Sequence, residues 1–154
     1  MTTTTIEKLS NHPLTEGLDD THLTTIAAVA TDVEWPPGAR ILTEGDDADA
    51  CYLLLHGDVS LEILVPGRGP HVVQTLHGGE TLGWSWLFPP YRWAFDARAI
   101  TRTTAIRLDA ADLRDAMAKD FELTARLMER IAHVLVRRLK ATRYQVLDVY
   151  GAAE

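Results

Sequence analysis

The alternation of apolar and polar positions divides the chain into three regimes. Residues 17–31, GLDDTHLTTIAAVAT, place Leu18, Leu23, Ile26 and Ala27 at roughly helical spacing behind Asp19 and Asp20. Acidic residues at that point can cap a first turn, so a short helix is expected there. From Trp35 to Gly83 the pattern changes to short apolar runs broken by Gly, Pro and Asp at intervals of about ten residues, the rhythm of an antiparallel sandwich or barrel. Strands are expected near 32–35, 40–43, 51–56, 58–65, 71–76, 96–101 and 103–108. The PGRGP stretch at 66–70 supplies the turn geometry of a hairpin tip. Beyond Asp109 the period becomes helical: Asp109 caps a helix over 110–118, and a long helix runs from about 120 to 147.

The long helix carries two apolar faces. Ala125, Ala132, Leu139 and Val146, with Met128, Leu135, Thr142 and Val149, follow a seven-residue repeat with the spacing of a coiled-coil seam. Leu127, Ile131 and Val134 form a second face over its first half. A helix of this length measures roughly 40 Å, more than one small barrel needs to cover itself. One face is therefore expected on the barrel and the seam (Met128, Ala132, Leu135, Leu139, Thr142 and Val146) on a second copy of the chain. The competing reading is a single broad stripe facing the core.

Composition narrows the class. With 154 residues, 46% hydrophobic and 24% charged, the chain has the material for one ordinary domain, assigned to residues 9–154. Residues 1–8 read as a flexible arm, and the start MTTTTIEKLSN has neither the basic nor the apolar region of a signal peptide. No apolar run approaches the roughly 20 residues of a bilayer span. Cys51 is the sole cysteine, which excludes an internal disulfide and a cysteine cage for a metal, and makes the cytoplasm the expected location. Net charge is −7, yet residues 118–147 hold seven basic against three acidic residues, +4, leaving −11 elsewhere. Arg130, Arg137, Arg138, Lys140 and Arg143 on that helix suit its C-terminal dipole and need not imply nucleic acid.

No nucleophile elbow, Walker loop or catalytic acid pair occurs, so no enzyme is expected and no catalytic residues are assigned. His71, His77 and Glu80 would suggest a cupin-like metalloenzyme, but no His-x-His pair precedes the acid. Asp46, Asp47 and Asp49 lack the ligand periodicity of a calcium loop and read as turn residues. No metal site and no cofactor are assigned.

Three strings carry a likeness to a known family: PPGARILTEGDDADACYLLLHGDVSLEI, with Gly38, Gly45, Asp46, Tyr52 and Gly57; GETLGWSWLF; and RLDAADLRDAM leading into the long helix. Together they resemble the cyclic-nucleotide-binding domain of the Crp/Fnr regulators over some nine-tenths of the chain. The resemblance implies a mainly β fold with flanking helices: an antiparallel, jelly-roll-like β-roll of about eight strands, a short N-terminal helix and a long C-terminal dimerisation helix. It also implies a cassette in which a Gly-Glu pair holds the ribose and an Arg-Ser/Thr-Ala triplet holds the cyclic phosphate.

This chain departs from that cassette. Gly83 and Trp84 fall on the Gly-Glu positions, followed by Ser85; the arginine position falls on Trp93 or, shifted by one, Arg92; and the serine position falls on Ala94. Thr142 matches a position from which the family reaches the base, and Arg143 follows it. Poor binding of cAMP and cGMP is expected. Gly83, Trp84, Ser85, Arg92, Trp93, Ala94, Thr142 and Arg143 are the candidate lining of a changed pocket. Arg92, Arg98 and Arg143 are expected to converge there, with Asp96 as partner, around a small apolar or aromatic anion. The alternative is a pocket refilled by tryptophan, in a module acting through protein partners. The family's DNA-reading helix-turn-helix would begin where this chain ends, so no direct contact with DNA is expected.

Overall fold

In a computed structural model the backbone is described for residues 2–153 and side chains for residues 5–143. Helices α1 (Thr2–Asn11) and α2 (Asp20–Ala27) precede eight strands: β1 (Ala30–Trp35), β2 (Arg40–Leu42), β3 (Ala50–His56), β4 (Asp58–Val65), β5 (Gly69–His77), β6 (Thr81–Leu82), β7 (Asp96–Ala99) and β8 (Thr103–Asp109). Helices α3 (Ala110–Lys119) and α4 (Phe121–Ala153) complete the chain. Two four-stranded sheets, ordered β1-β8-β3-β6 and β2-β7-β4-β5, form an antiparallel roll. None of the described helices is long and apolar enough to cross a membrane.

Leu53 and Leu54 of β3 point to opposite faces of their sheet and both are buried, in one cluster with Ile106 and Leu108 of β8, Leu61 of β4, Leu76 of β5 and Leu82 of β6. Asp19 caps α2 by accepting from the His22 N–H at 2.8 Å, and Asp109 caps α3 by accepting from the Asp112 N–H at 3.1 Å. Gly57, between β3 and β4, has φ +104°, and a Cβ there would lie 2.5 Å from the Arg102 carbonyl oxygen. The tight turn therefore depends on the missing side chain.

Each expected strand is present, and β6 is an addition: two residues paired with Tyr52 and Leu53 are too short to show an alternation. The opening residues differ from the expected arm. They form α1, in which Leu9 is fully buried and Ile6 packs on the core. Four successive threonines are poor helix formers, and tertiary packing overrides that preference.

Helix α4 has the two faces that its sequence suggests. Leu123, Leu127 and Ile131 are buried against the roll, while Met128 is 37%, Leu135 38%, Val136 51% and Leu139 53% exposed. A single core-facing stripe would have covered both sets. Ala132 and Thr142 also lie on the exposed side; the side chains of Val146 and Val149 fall outside the described residues. Two arginines fasten the inner face. Arg130 donates to the Pro13 carbonyl at 3.1 Å and pairs with Glu16 at 3.0 Å, and Arg138 donates to the Thr81 carbonyl at 3.0 Å. Burial draws the Arg138 guanidinium below its usual range, with Glu80 opposing.

Candidate functional site

The segment between β6 and β7, residues 83–94, is strapped to the β2–β3 loop and to α3. Ala48 N–H donates to the Tyr91 carbonyl at 2.7 Å, Trp93 N–H to the Asp46 carbonyl at 2.9 Å, and Gly45 N–H to the Trp93 carbonyl at 2.9 Å. These bonds tie it to the β2–β3 loop. From α3, Arg114 donates to the Trp86 carbonyl at 2.6 Å, and its guanidinium carbon stacks 4.3 Å from the centroid of the Tyr91 ring. The Pro89–Pro90 bond is cis, and Tyr91 has φ +57°. Five polar or stacking contacts on so short a stretch make it a fixed part of the fold.

The tryptophans lie mainly inside. Trp86 is 1% and Trp93 4% exposed, and Trp84 is half-buried. Gly83 has φ +90°, and a Cβ at that position would come within 2.4 Å of Trp93 Cζ3. The indole of Trp93 thus rests directly on the Gly83 backbone. The indole N–H groups of Trp84 and Trp86 are buried without an acceptor. Trp86 lies beside Cys51 without completing a hydrogen bond, and burial pushes the Cys51 thiol up to about 12, with Trp86 opposing. A thiol in that state is inert.

The expected convergence of arginines is not what the structure contains. Arg92 donates to the Gly45 carbonyl at 3.0 Å and pairs with Asp47 at 3.2 Å, both on the β2–β3 loop. Arg98 donates to the Gly38 carbonyl at 3.1 Å and lies 3.7 Å from Glu62, whose buried carboxylate accepts from Ser60 Oγ at 2.7 Å. Asp96, expected to partner these arginines, instead accepts from Glu44 N–H at 2.8 Å and pairs with Arg40 at 3.6 Å. Arg143 and Thr142 are exposed on α4, and Thr142 Oγ1 donates to the Arg138 carbonyl. The three arginines lie on separate elements, the loop before β7, β7 itself and α4, and Arg92 and Arg98 are each engaged by a backbone carbonyl and a carboxylate close to their own position.

One cleft opens beside the strap and another lies further along the roll. The first, of about 480 Å³, has Arg92, Trp93 and Tyr52 on its walls together with Asp46, Asp47 and Asp49, so carboxylates outnumber the single guanidinium. Burial raises the Tyr52 phenol above its ordinary range, with Arg107 opposing. The other, of about 340 Å³, lies between the roll and α4 and is lined by Gln74, Glu80, Thr81, Arg137 and Arg138. Of the proposed lining, Gly83 and Trp93 are in contact and Arg92 shares the first cleft with Trp93; Trp84, Ser85, Ala94, Thr142 and Arg143 line neither cleft. Sequence reading overlooked Arg114 and Tyr91, whose contact no spacing rule could reveal.

The cupin-like grouping also disperses. His77 Nδ1 lies 2.6 Å from Asp58, which holds the imidazole above its usual range, and Glu80 accepts from the His77 backbone N–H at 2.7 Å. Among the described residues His71, His77 and Glu80 form no ligand cluster. His12, buried beneath the β5–β6 turn, is drawn below its usual range by burial.

An antiparallel roll with a strapped segment between β6 and β7 and a long terminal helix defines the class of cyclic-nucleotide-binding regulatory domains. The family model for the cyclic nucleotide-binding domain matches residues 32–120, and the chain belongs to that family. A CRP-like cAMP-activated global transcriptional regulator of Mycobacterium tuberculosis is 23% identical over 143 residues, 93% of this chain and 62% of that protein. Glutaminase 1 of Bradyrhizobium diazoefficiens is 31% identical over 132 residues, 86% of this chain but 21% of that protein. Among solved structures, a cyclic nucleotide-binding domain from Methylobacillus flagellatus has a TM-score of 0.79 at 18% identity, covering 96% of this chain and 83% of that one. The chain spans about 62% of the length of the Mycobacterium relative.

Proposed function

We propose that this chain is a regulatory module that works as a homodimer through α4 and does not bind cAMP or cGMP in its family's usual manner. The observation that carries this reading is the contact between Gly83 and Trp93, in which an indole occupies the side of the cassette where the family pattern has its ribose acceptor and its phosphate-binding arginine. Trp84 cannot accept from a ribose hydroxyl. The remaining cation, Arg92, is engaged by Asp47 in a cleft of excess negative charge, which disfavours an anion. The exposed seam of α4 supports the homodimer, and a cytoplasmic setting agrees with the one buried, unreactive cysteine.

A second reading, a sensor of another small molecule, is favoured by one feature. The indole N–H of Trp84 is enclosed and lacks an acceptor, a role that a ligand oxygen could fill. Calorimetric titration tests both. Loss of two charge-assisted hydrogen bonds at about 1.5–3 kcal/mol each predicts affinity for cAMP and cGMP at least about a hundredfold below that of an intact cassette. Submicromolar binding of either nucleotide would overturn the main reading. A tryptophan-emission change with a non-nucleotide metabolite, abolished in Trp84→Phe, would establish the second.

A further inference from the structure

We infer that His22, Asp19 and Glu122 form a binding site for a divalent first-row transition cation, with Asp120 as the residue that positions the imidazole. The site lies where the first turn of α2 meets the first turn of α4. His22 is 4% exposed. Its Nδ1 lies 3.3 Å from Asp19 Oδ1, and its Nε2 lies 3.4 Å from Asp120 Oδ2. One ligand atom from each of Asp19, His22 and Glu122 falls within 4.8 Å of the other two, a grouping found only here among the described residues.

The chemistry of the imidazole makes this more than an acidic corner. A neutral ring carries one N–H and one lone pair. Asp120 is held rigidly, because its Oδ1 accepts from the Leu123 backbone N–H at 3.0 Å, and its other oxygen is aimed at Nε2. In the tautomer whose N–H faces Asp120, the lone pair of Nδ1 faces Asp19 Oδ1 at 3.3 Å, and a carboxylate offers no proton in return. Asp19 is equally fixed, since its Oδ1 already accepts from the His22 backbone N–H. Three acceptors therefore converge from two helices, and a cation reconciles them. A carboxylate on the far nitrogen of a ligating histidine is the arrangement that fixes its tautomer and raises its basicity in metal sites. The 3.3 Å separation of Nδ1 and Asp19 Oδ1 also equals the edge of a tetrahedron with ligand bonds of about 2.0–2.1 Å.

One imidazole with two carboxylates suits zinc, cobalt, manganese or iron better than magnesium or calcium, which take oxygen ligands alone. Asp19 and Glu122 are exposed, so water completes the shell. The bound ion ties α2 to the start of α4, residues about a hundred positions apart. This inference does not depend on what the tryptophan-rich segment binds.

The test is titration of the full chain, stripped with a chelator, by Zn²⁺ in a calorimeter, with Co²⁺ as a spectroscopic probe. Expected are one Zn²⁺ bound per chain, a rise in Tm that Mg²⁺ does not produce, and visible Co²⁺ absorption bands. Glu122→Gln, an exposed change that leaves the fold intact, should abolish the bands and the Tm rise, whereas Asp120→Asn should weaken affinity by about 10–100-fold. The inference is overturned if Zn²⁺ and Co²⁺ fail to bind. Binding that is unchanged in Glu122→Gln, as at a surface histidine elsewhere, overturns it equally.

Discussion

The tryptophan-rich strap and the long helix α4 spend their apolar residues in opposite ways. The strap turns Trp86 and Trp93 inward until they are 1% and 4% exposed. Helix α4 leaves Met128, Leu135, Val136 and Leu139 between 37% and 53% exposed along one side while Leu123, Leu127 and Ile131 on its other side are buried. Equally apolar sequence thus has different meanings according to whether the surrounding backbone can enclose it. In the strap, carbonyls from Gly45 and Asp46 and the side chain of Arg114 fold the segment back over its own indoles. A straight helix cannot fold back on itself, so its second face stays exposed.

The largest effect should come from emptying the closed region. Trp86→Ala is expected to destabilise the chain by about 3–5 kcal/mol, since the cavity left by so large a buried ring relaxes only in part. Chemical denaturation measures it, and a cost below about 1 kcal/mol would mean that the strap is not packed as described. Next is the open region. Leu135→Asp places a charge at the middle of the seam, and a buried unpaired charge is costly enough to separate two chains. Light scattering should then report monomers at micromolar concentration, with the unfolding transition of each chain retained; a wild-type chain that is itself monomeric removes the contrast between the two regions. The smallest effect is expected at the edge of the strap, where Arg92→Ala breaks a pair between side chains that are 57% and 81% exposed. Exposed pairs contribute about 0–1 kcal/mol, so the Tm should hardly move. A large drop would show that Arg92 secures the strap as firmly as the indoles do.

Much of this architecture is legible in the residues themselves. Turn residues at regular intervals predict an antiparallel sandwich or barrel, the family resemblance implies the roll, and the two apolar periods of α4 predict both its docked face and its exposed one. Asp19 and Asp109 announce their caps. What is not legible depends on contacts across long separations. The partner of Arg92 is Asp47 and the partner of Asp96 is Arg40, pairings decided by strand order and by the bulge in β2. Nothing near Arg114 in the sequence points to Tyr91, and His22 meets Asp120 only because α2 and the α3–α4 junction pack together. Helix α1 was hidden for another reason: its threonines argue against a helix, and only the burial of Leu9 argues for one.

Arg138 clamps α4 to the roll through a main-chain oxygen, that of Thr81, and Arg130 reaches the main-chain oxygen of Pro13 in the α1–α2 connection besides pairing with Glu16. A carbonyl is supplied by every residue type, so evolutionary drift at positions 13 and 81 would leave the clamp intact provided the backbone path is kept. Related chains should then retain arginine at the helical positions while the opposite positions vary freely. A search for correlated substitutions would find no signal between positions 138 and 81 or between 130 and 13, although mechanically these contacts hold the helix in place.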